Sequence, residues 1–204
     1  MQKHIYNGKT FEEALENAKI ELQETEENLI VIEKEVTKSG LFKSKKIELE
    51  VIEKRELNKH IKTYLSTLLK DMGYQVNIEM KVKEGTPSYI IYSDNDPLVI
   101  GKNGKNLTAL TTIVKQMIKK ETNQNYRLLI DVNGYKEKRE RRVERLAKNL
   151  AREVSKTKQE VVMDSMNSYE RRLVHNILSN NKYVVTESTG EEPNRKVVIK
   201  PRED

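Results

Sequence analysis

Two glycines three residues apart, Gly101 and Gly104, constrain the fold of this chain more than any other feature of its sequence. They separate a short apolar segment from a stretch with apolar residues at helical spacing. Hydrophobic periodicity and turn residues predict the neighbouring elements: a helix at residues 61–72, strands at 76–82 and 89–92, a helix at 106–120 and a strand at 126–132. The sequence therefore predicts the order helix, strand, strand, glycine loop, helix, strand.

The loop itself, Ile100-Gly101-Lys102-Asn103-Gly104-Lys105, has the composition of a phosphate contact. Glycines lack a Cβ atom, so they adopt unusual backbone angles and allow a sugar-phosphate chain to approach the main chain. Free backbone N–H groups at the start of the next helix favour a phosphate. Two glycines at this spacing also occur in ordinary turns, so the loop by itself leaves both interpretations open.

Similar patterns on either side predict two further small modules. Thr10 is positioned to cap a helix, and Glu13 is positioned to complete a capping box. The other predicted elements are strands at 29–36 and 47–51, a long helix at 135–156, a helix at 168–178 and strands at 183–187 and 196–199. The long helix is predicted to bury a stripe formed by Val143, Leu146, Leu150 and Val154.

The composition supports modules of this size. Hydrophobic residues make up 36% of the 204 residues, with no Trp and two Phe, which is lean for one large core. The predicted fold class is therefore α+β, in three small modules.

Positive charge is concentrated in the later parts of the chain. Residues 1–57 carry ten basic and thirteen acidic side chains, residues 58–131 eleven and seven, and residues 132–204 seventeen and twelve. Clustered positive charge attracts phosphate backbones through counterion release, although a basic face also serves plain solubility.

Residue types that are scarce exclude several classes of protein. The chain has no Cys and three His, which argues against a disulfide scaffold, a thiolate nucleophile or a metal site. No apolar run approaches the roughly 18 residues of a membrane span, and the first residues lack a signal-peptide hydrophobic region. We therefore expect a cytoplasmic protein without a metal or a cofactor.

Arg171 and His175 form the second candidate site. Asn167 and Glu170 predict the start of a helix, and the two basic residues then lie four apart on one of its faces. A guanidinium offers a fork to phosphate oxygens, and an imidazole can donate to phosphate or stack on a base. From the pattern alone, such a pair is in most proteins a chance one, either solvated or bordering the core.

An enzymatic interpretation has less support. His175 could act as a base, with Glu170 or Glu187 as its partner, but no nucleophile elbow, phosphate-binding P-loop or metal triad accompanies it. We expect no catalytic activity.

The context of the glycine loop resembles the K-homology (KH) domain in its bacterial arrangement. That family has a GXXG loop that clamps about four nucleotides of single strand. Gly101, Lys102, Asn103 and Gly104 match the loop, and Lys105 follows it. Lys102 and Asn103 do not repel phosphate as acidic residues would, so the resemblance implies that nucleic-acid binding is retained.

The C-terminal segment resembles the R-x-x-x-H domain of the Jag, or SpoIIIJ-associated, family. Two stretches carry the resemblance, residues 166–175 and the segment 186–199 with its sequence Thr-Gly-Glu-Glu-Pro-Asn-Arg. Family members join a Jag N-terminal domain, a KH domain and this domain. The predicted boundaries are 1–54 for the Jag N-terminal domain, 55–57 for a linker, 58–132 for the KH domain, 133–158 for a basic connecting helix and 159–204 for an R-x-x-x-H domain that binds single-stranded nucleic acid.

The resemblance implies a bacterial single-stranded RNA-binding protein, an RNA chaperone or a post-transcriptional regulator. It also implies a small KH-domain protein as partner and an influence on cell elongation, cell shape and cell-wall biogenesis. An adaptor is the alternative: the acidic first module, with the pair Leu41-Phe42 in a lysine-rich turn, would dock on a protein of a membrane-associated complex. The same pair could also fold into its own module.

The long basic helix has two interpretations of its own. Its ten Lys and Arg against four Glu in residues 135–158 could form an electrostatic track for RNA, with Arg139 and Arg142 among the contacts. They could also be a solvated face between two modules.

Overall fold

The structure, a computed structural model, describes residues 1–37 and 45–202. The predicted α+β class is confirmed: short helices alternate with strands in small sheets. The chain divides into two compact units, Met1–Asn133 and Gly134–Asp204.

The first unit begins with a sheet and one helix. Its elements are β1 (His4–Gly8), α1 (Phe11–Leu22), β2 (Leu29–Thr37) and β3 (Lys45–Glu53). The sheet order is β1-β3-β2 with antiparallel neighbours, and β1 is a strand that the sequence did not predict. The predicted pair Leu41-Phe42 lies outside the described residues.

Helix α1 begins where the sequence predicts. The Thr10 hydroxyl accepts from the backbone N–H of Glu13 at 3.2 Å. The Glu13 carboxylate returns a bond to the backbone N–H of Lys9, at 2.8 Å, and not to that of the capping residue. Ala14 and Ala18 are buried on the face that packs against the sheet.

Residues 55–57, predicted to be a linker, lie instead in the first turns of helix α2 (Lys54–Asp71). The helix starts directly after β3 because Leu57 continues the apolar face of Ile61 and Leu65, and all three side chains are fully buried. Charged residues around Leu57 hide this periodicity in the sequence. The helix ends before Gly73, which has a left-handed φ of 91°, as predicted for a C-terminal cap.

A second sheet follows in the same unit. Its elements are β4 (Val76–Lys83), β5 (Thr86–Ser93), α3 (Asp96–Ile100), α4 (Lys105–Thr122) and β6 (Leu129–Val132). The order is β4-β5-β6, antiparallel between the first two strands and parallel between the last two. The predicted order of elements is confirmed, with the short helix α3 added before the glycine loop.

A buried polar link joins α2 to this second sheet. The side-chain oxygen of Asn58 accepts from the hydroxyl of Tyr89 at 2.9 Å and from that of Tyr126 at 3.1 Å. Burial raises the pKa of Tyr89 far above its usual value, so its hydroxyl keeps its proton. The link gives the buried amide oxygen of Asn58 the hydrogen-bond partners that it would otherwise find in water.

The second unit contains α5 (Tyr135–Thr157), β7 (Val161–Val162), α6 (Ser168–Leu178), β8 (Val184–Thr189) and β9 (Lys196–Pro201). Its sheet order is β7-β9-β8, antiparallel throughout. Buried side chains from both helices and from the sheet form one core.

The basic helix α5 is part of this core, although the sequence analysis separated it from the C-terminal domain at residue 158. Val143 and Val154 are buried as predicted, but Leu146 is 44% exposed. The stripe runs instead through Ala147 and Ala151, whose small side chains allow the helix to approach its neighbours closely. A pattern based on large apolar residues does not find alanines that pack.

Candidate nucleic-acid interface

The glycine loop connects α3 to α4 within the first unit. Gly101 has φ 72° and ψ 175°, a backbone conformation that is essentially restricted to glycine. A Cβ atom at Gly101 would also lie 2.5 Å from the side-chain Cγ of Asn106. Gly104 has φ 78° and ψ 15°, so both glycines occupy left-handed conformations.

Hydrogen bonds fix the two helices on either side of the loop. The Asn106 amide donates to the backbone carbonyl of Leu98 at 2.8 Å, which ties α4 to α3. Asn95 caps α3 by accepting from the N–H of Leu98. The loop is therefore held in a defined conformation before any ligand arrives.

The polar residues of the loop have different exposures. Lys102 and Lys105 are exposed, and Asn103, with φ 54°, takes the left-handed conformation that asparagine tolerates. Gly104 is the N-cap of α4, so the capping residue offers no side chain to the N–H groups of the first turn. Positive charge and helix N–H groups thus lie together at the start of α4.

Arg171 lies near the start of α6, in the second unit. Asn167 and Glu170 form the predicted capping box: the Asn167 side chain accepts from the N–H of Glu170 at 2.9 Å, and the Glu170 carboxylate accepts from the N–H of Asn167 at 3.3 Å. The Arg171 side chain is 9% exposed, and its Nη2 lies 2.8 Å from Oε1 of Glu192. Its Nη1 donates to the backbone carbonyl of Met166 at 2.9 Å.

His175 faces β8 and is half-buried. Its Nδ1 lies 2.6 Å from the hydroxyl of Thr186, and its Nε2 lies 2.8 Å from that of Ser188. Burial lowers the pKa of His175, and the nearby charge of Arg171 lowers it further. The imidazole therefore favours its neutral form, with both ring nitrogens occupied.

Neither Glu170 nor Glu187 partners His175, contrary to the sequence-based suggestion. Side chains alternate along a strand, so Thr186 and Ser188 share one face of β8 while Glu187 lies on the other. The Glu187 carboxylate pairs there with Lys200 at 2.6 Å. The sequence analysis did not single out Thr186, Ser188 or Glu192, although period-2 alternation would have pointed to the first two.

The two arginines predicted on α5 differ in their surroundings. Arg139 Nε lies 2.7 Å from Oε1 of Glu170, and its side chain is 18% exposed. Arg142 is exposed. Arg139 is thus held by a structural ion pair, whereas the charge of Arg142 faces solvent.

Within residues 1–37 and 45–202, no cluster of His, Cys, Asp and Glu has the geometry to hold a metal ion. In the same part of the chain, no helix combines the length and the apolar character that a membrane span requires.

These features define the class of protein. The family model of the R-x-x-x-H domain matches residues 141–201, which include Arg171 and His175. The chain is thus a small α+β protein that ends in an R-x-x-x-H domain.

The relatives identify the family. The chain is 35% identical over 196 residues to the RNA-binding protein KhpB of Clostridium symbiosum, covering 94% of this chain and 88% of the relative. It is 30% identical over 197 residues to KhpB of Bacillus subtilis (strain 168), covering 94% and 95%. KhpB of Lactiplantibacillus plantarum is 32% identical over 136 residues, 67% of this chain and 42% of the relative. The chain belongs to the KhpB family, which confirms the resemblance drawn from the C-terminal motif.

Proposed function

We propose that this protein binds single-stranded RNA through the face of α6 that carries Arg171 and His175 and through the glycine loop. The observation that carries the proposal is the match to the R-x-x-x-H domain over residues 141–201, which contains both side chains. The relatives that align with 94% of the chain are named RNA-binding protein KhpB, which supports RNA as the ligand.

The two residues of the R-x-x-x-H motif have complementary roles in this proposal. Arg171 keeps its charge at any working pH and offers a fork of N–H donors to a phosphate. His175 engages both ring nitrogens with hydroxyls at 2.6 and 2.8 Å, so it contributes the face of a neutral ring to a base rather than a proton to a phosphate.

The middle segment is proposed to be a KH domain. The element order α2-β4-β5-α3-α4-β6 and the glycine loop with left-handed Gly101 and Gly104 support this assignment. Lys102 and Lys105 would contact the backbone of the nucleic acid, while the glycines allow it to approach. A groove that takes about four nucleotides binds weakly alone, so a second site on the same chain raises the effective concentration.

The family resemblance extends the proposal to the cell. The protein would act in the cytoplasm as an RNA chaperone or a post-transcriptional regulator, without catalysis. It would work with a small KH-domain protein and influence cell elongation and envelope homeostasis. Size measurement of the purified chain with and without such a protein tests the pairing, and unchanged sizes at micromolar concentrations would contradict it. The adaptor alternative depends on Leu41-Phe42, outside the described residues, and no observation favours it.

Filter binding of the full chain tests the central claim. We expect an unstructured single-stranded RNA to bind more tightly than the duplex of the same sequence, with affinity falling as salt rises. Single-stranded DNA of the same sequence measures the preference for RNA. Equal affinity for single strand and duplex would reject the proposal.

A further inference from the structure

The guanidinium of Arg171 is enclosed by its own domain. The residue is 7% exposed, and its two terminal nitrogens have different partners. Nη1 is held from within by the carbonyl of Met166 at 2.9 Å. Nη2 faces the connection between β8 and β9, where the carboxylate of Glu192 lies 2.8 Å away. A ligand phosphate can reach this nitrogen only where Glu192 now lies.

The connection that carries Glu192 is open to solvent. All of its residues, 190–195, are exposed, and the Glu192 side chain is 57% exposed despite its ion pair. A carboxylate and a phosphodiester both carry one negative charge and present oxygens that suit a guanidinium. Because the released carboxylate would return to water, its displacement costs little solvation.

We propose that Glu192 occupies the phosphate position of Arg171 and that RNA must displace it to bind. The inference rests on the proposed role of Arg171 in RNA binding. Glu192 then sets the specificity of the site: a small anion exchanges one charge for an equal one and gains nothing. A nucleic-acid strand adds base stacking and further phosphates, and these additional contacts favour the exchange.

The neighbouring residue provides a matched control. Glu191 lies on the same exposed connection, and replacing either glutamate by Gln changes the net charge equally. Long-range electrostatics therefore cancel in the comparison. Glutamine keeps the shape of the side chain and can still accept a weaker hydrogen bond, so the fold is retained; thermal unfolding of each variant checks this.

The experiment measures the affinity of the full chain for an unstructured single-stranded RNA at constant salt. We expect Glu192→Gln to bind about three- to tenfold more tightly than Glu191→Gln, as loss of a partly buried competing ion pair predicts. In an Arg171→Ala background the two substitutions should have the same effect, because the competition acts through Arg171. Inorganic phosphate at millimolar concentration should compete with RNA more strongly in Glu192→Gln than in the parent.

Three outcomes would overturn the inference. Equal affinities of the two glutamine variants, with Arg171→Ala still weakening RNA binding, would keep the site and remove Glu192 from it. Weaker binding by Glu192→Gln would make Glu192 a residue that orients Arg171 instead. Unchanged affinity in Arg171→Ala, with its folding intact, would remove both the inference and the proposed role of this face in RNA binding.

Discussion

Arg139 on α5 and Glu170 on α6 form a nearly buried ion pair, in which Nε lies 2.7 Å from Oε1 and the glutamate side chain is 5% exposed. The same carboxylate completes the capping box of α6 by accepting from the N–H of Asn167. Arg139 therefore holds the helix that presents Arg171 and His175. This makes the arginine part of the domain's architecture before any question of RNA contact arises.

Replacing Arg139 by Gln should lower the free energy of unfolding by about 2–3 kcal/mol, because it leaves the buried Glu170 carboxylate without its cation. Arg142→Gln, on the same helix but exposed, should change it by no more than about 0.5 kcal/mol. Urea unfolding of both variants measures the difference. Similar losses in the two would show that the pair adds no stability beyond helix propensity.

The exposed arginines of α5 should set part of the salt dependence of RNA binding. Replacing Arg142 and Arg145 by Gln should reduce the slope of log affinity against log salt by about 0.7 for each phosphate that the helix no longer neutralises. A matched control replaces Arg141 and Lys148, which are paired with Glu137 and Glu144. If both double variants change the slope equally, α5 contributes only net charge and is not a track.

Acidic side chains in the glycine loop should abolish its share of the binding. Lys102→Asp with Asn103→Asp places two carboxylates where the phosphate approaches, and Asp tolerates the left-handed position of Asn103. The control, Asn7→Asp with Lys9→Asp, makes the same charge change at two exposed residues around the end of β1. Filter binding at equal salt should show a tenfold or greater loss for the loop variant alone, since two repulsive contacts of roughly 1 kcal/mol each add to the attraction that is removed. Equal affinities would reject the KH assignment of this loop.

Gly101→Ala should damage both stability and binding. Its backbone region costs a non-glycine residue about 1–3 kcal/mol, and the new Cβ would lie 2.5 Å from the Asn106 side chain. Gly85→Ala is the control, because Gly85 has φ 70° but nothing within 4 Å of its Cβ position. It should lose about 1 kcal/mol and keep its RNA affinity. A Gly101→Ala variant as stable as Gly85→Ala would contradict the close contact with Asn106.

His175 should make the stability of the protein depend on pH in mild acid. Burial and the charge of Arg171 lower its pKa in the folded protein, whereas in the unfolded chain it titrates near about 6.5. Below about pH 6.5 the unfolded chain binds the proton more readily, so stability falls as pH decreases towards the folded pKa. His175→Gln should flatten this part of the curve in urea unfolding between about pH 8 and about pH 5.

The same shift predicts how His175 affects RNA binding. Because the ring is neutral at neutral pH, His175→Ala should weaken affinity by the same factor at about pH 7 and about pH 8. An effect that grows steadily from about pH 8 to about pH 7 would indicate that a protonated imidazole contacts phosphate. Circular dichroism of the variant at each pH separates impaired binding from impaired folding.

Features encoded within a few residues could be predicted from the sequence. The capping residues Thr10 and Asn167 fixed the starts of two helices, and Gly73 fixed the end of another, because each acts on backbone groups only a few residues away. The glycine loop is of the same kind, since its left-handed angles depend on the absence of a Cβ at two positions. The motif that places Arg171 and His175 four apart on one helix also follows from local periodicity.

Contacts between distant segments were decided by the tertiary structure. The sequence pattern assigned Leu146 to the core of α5, but close helix packing selected Ala147 and Ala151. It could not show that Glu192 meets Arg171, because these residues are twenty-one positions apart and come together only when the β8–β9 connection folds over α6. Periodicity records which face of an element is apolar, whereas the partner of a charged group depends on which segments the completed fold brings within hydrogen-bonding distance.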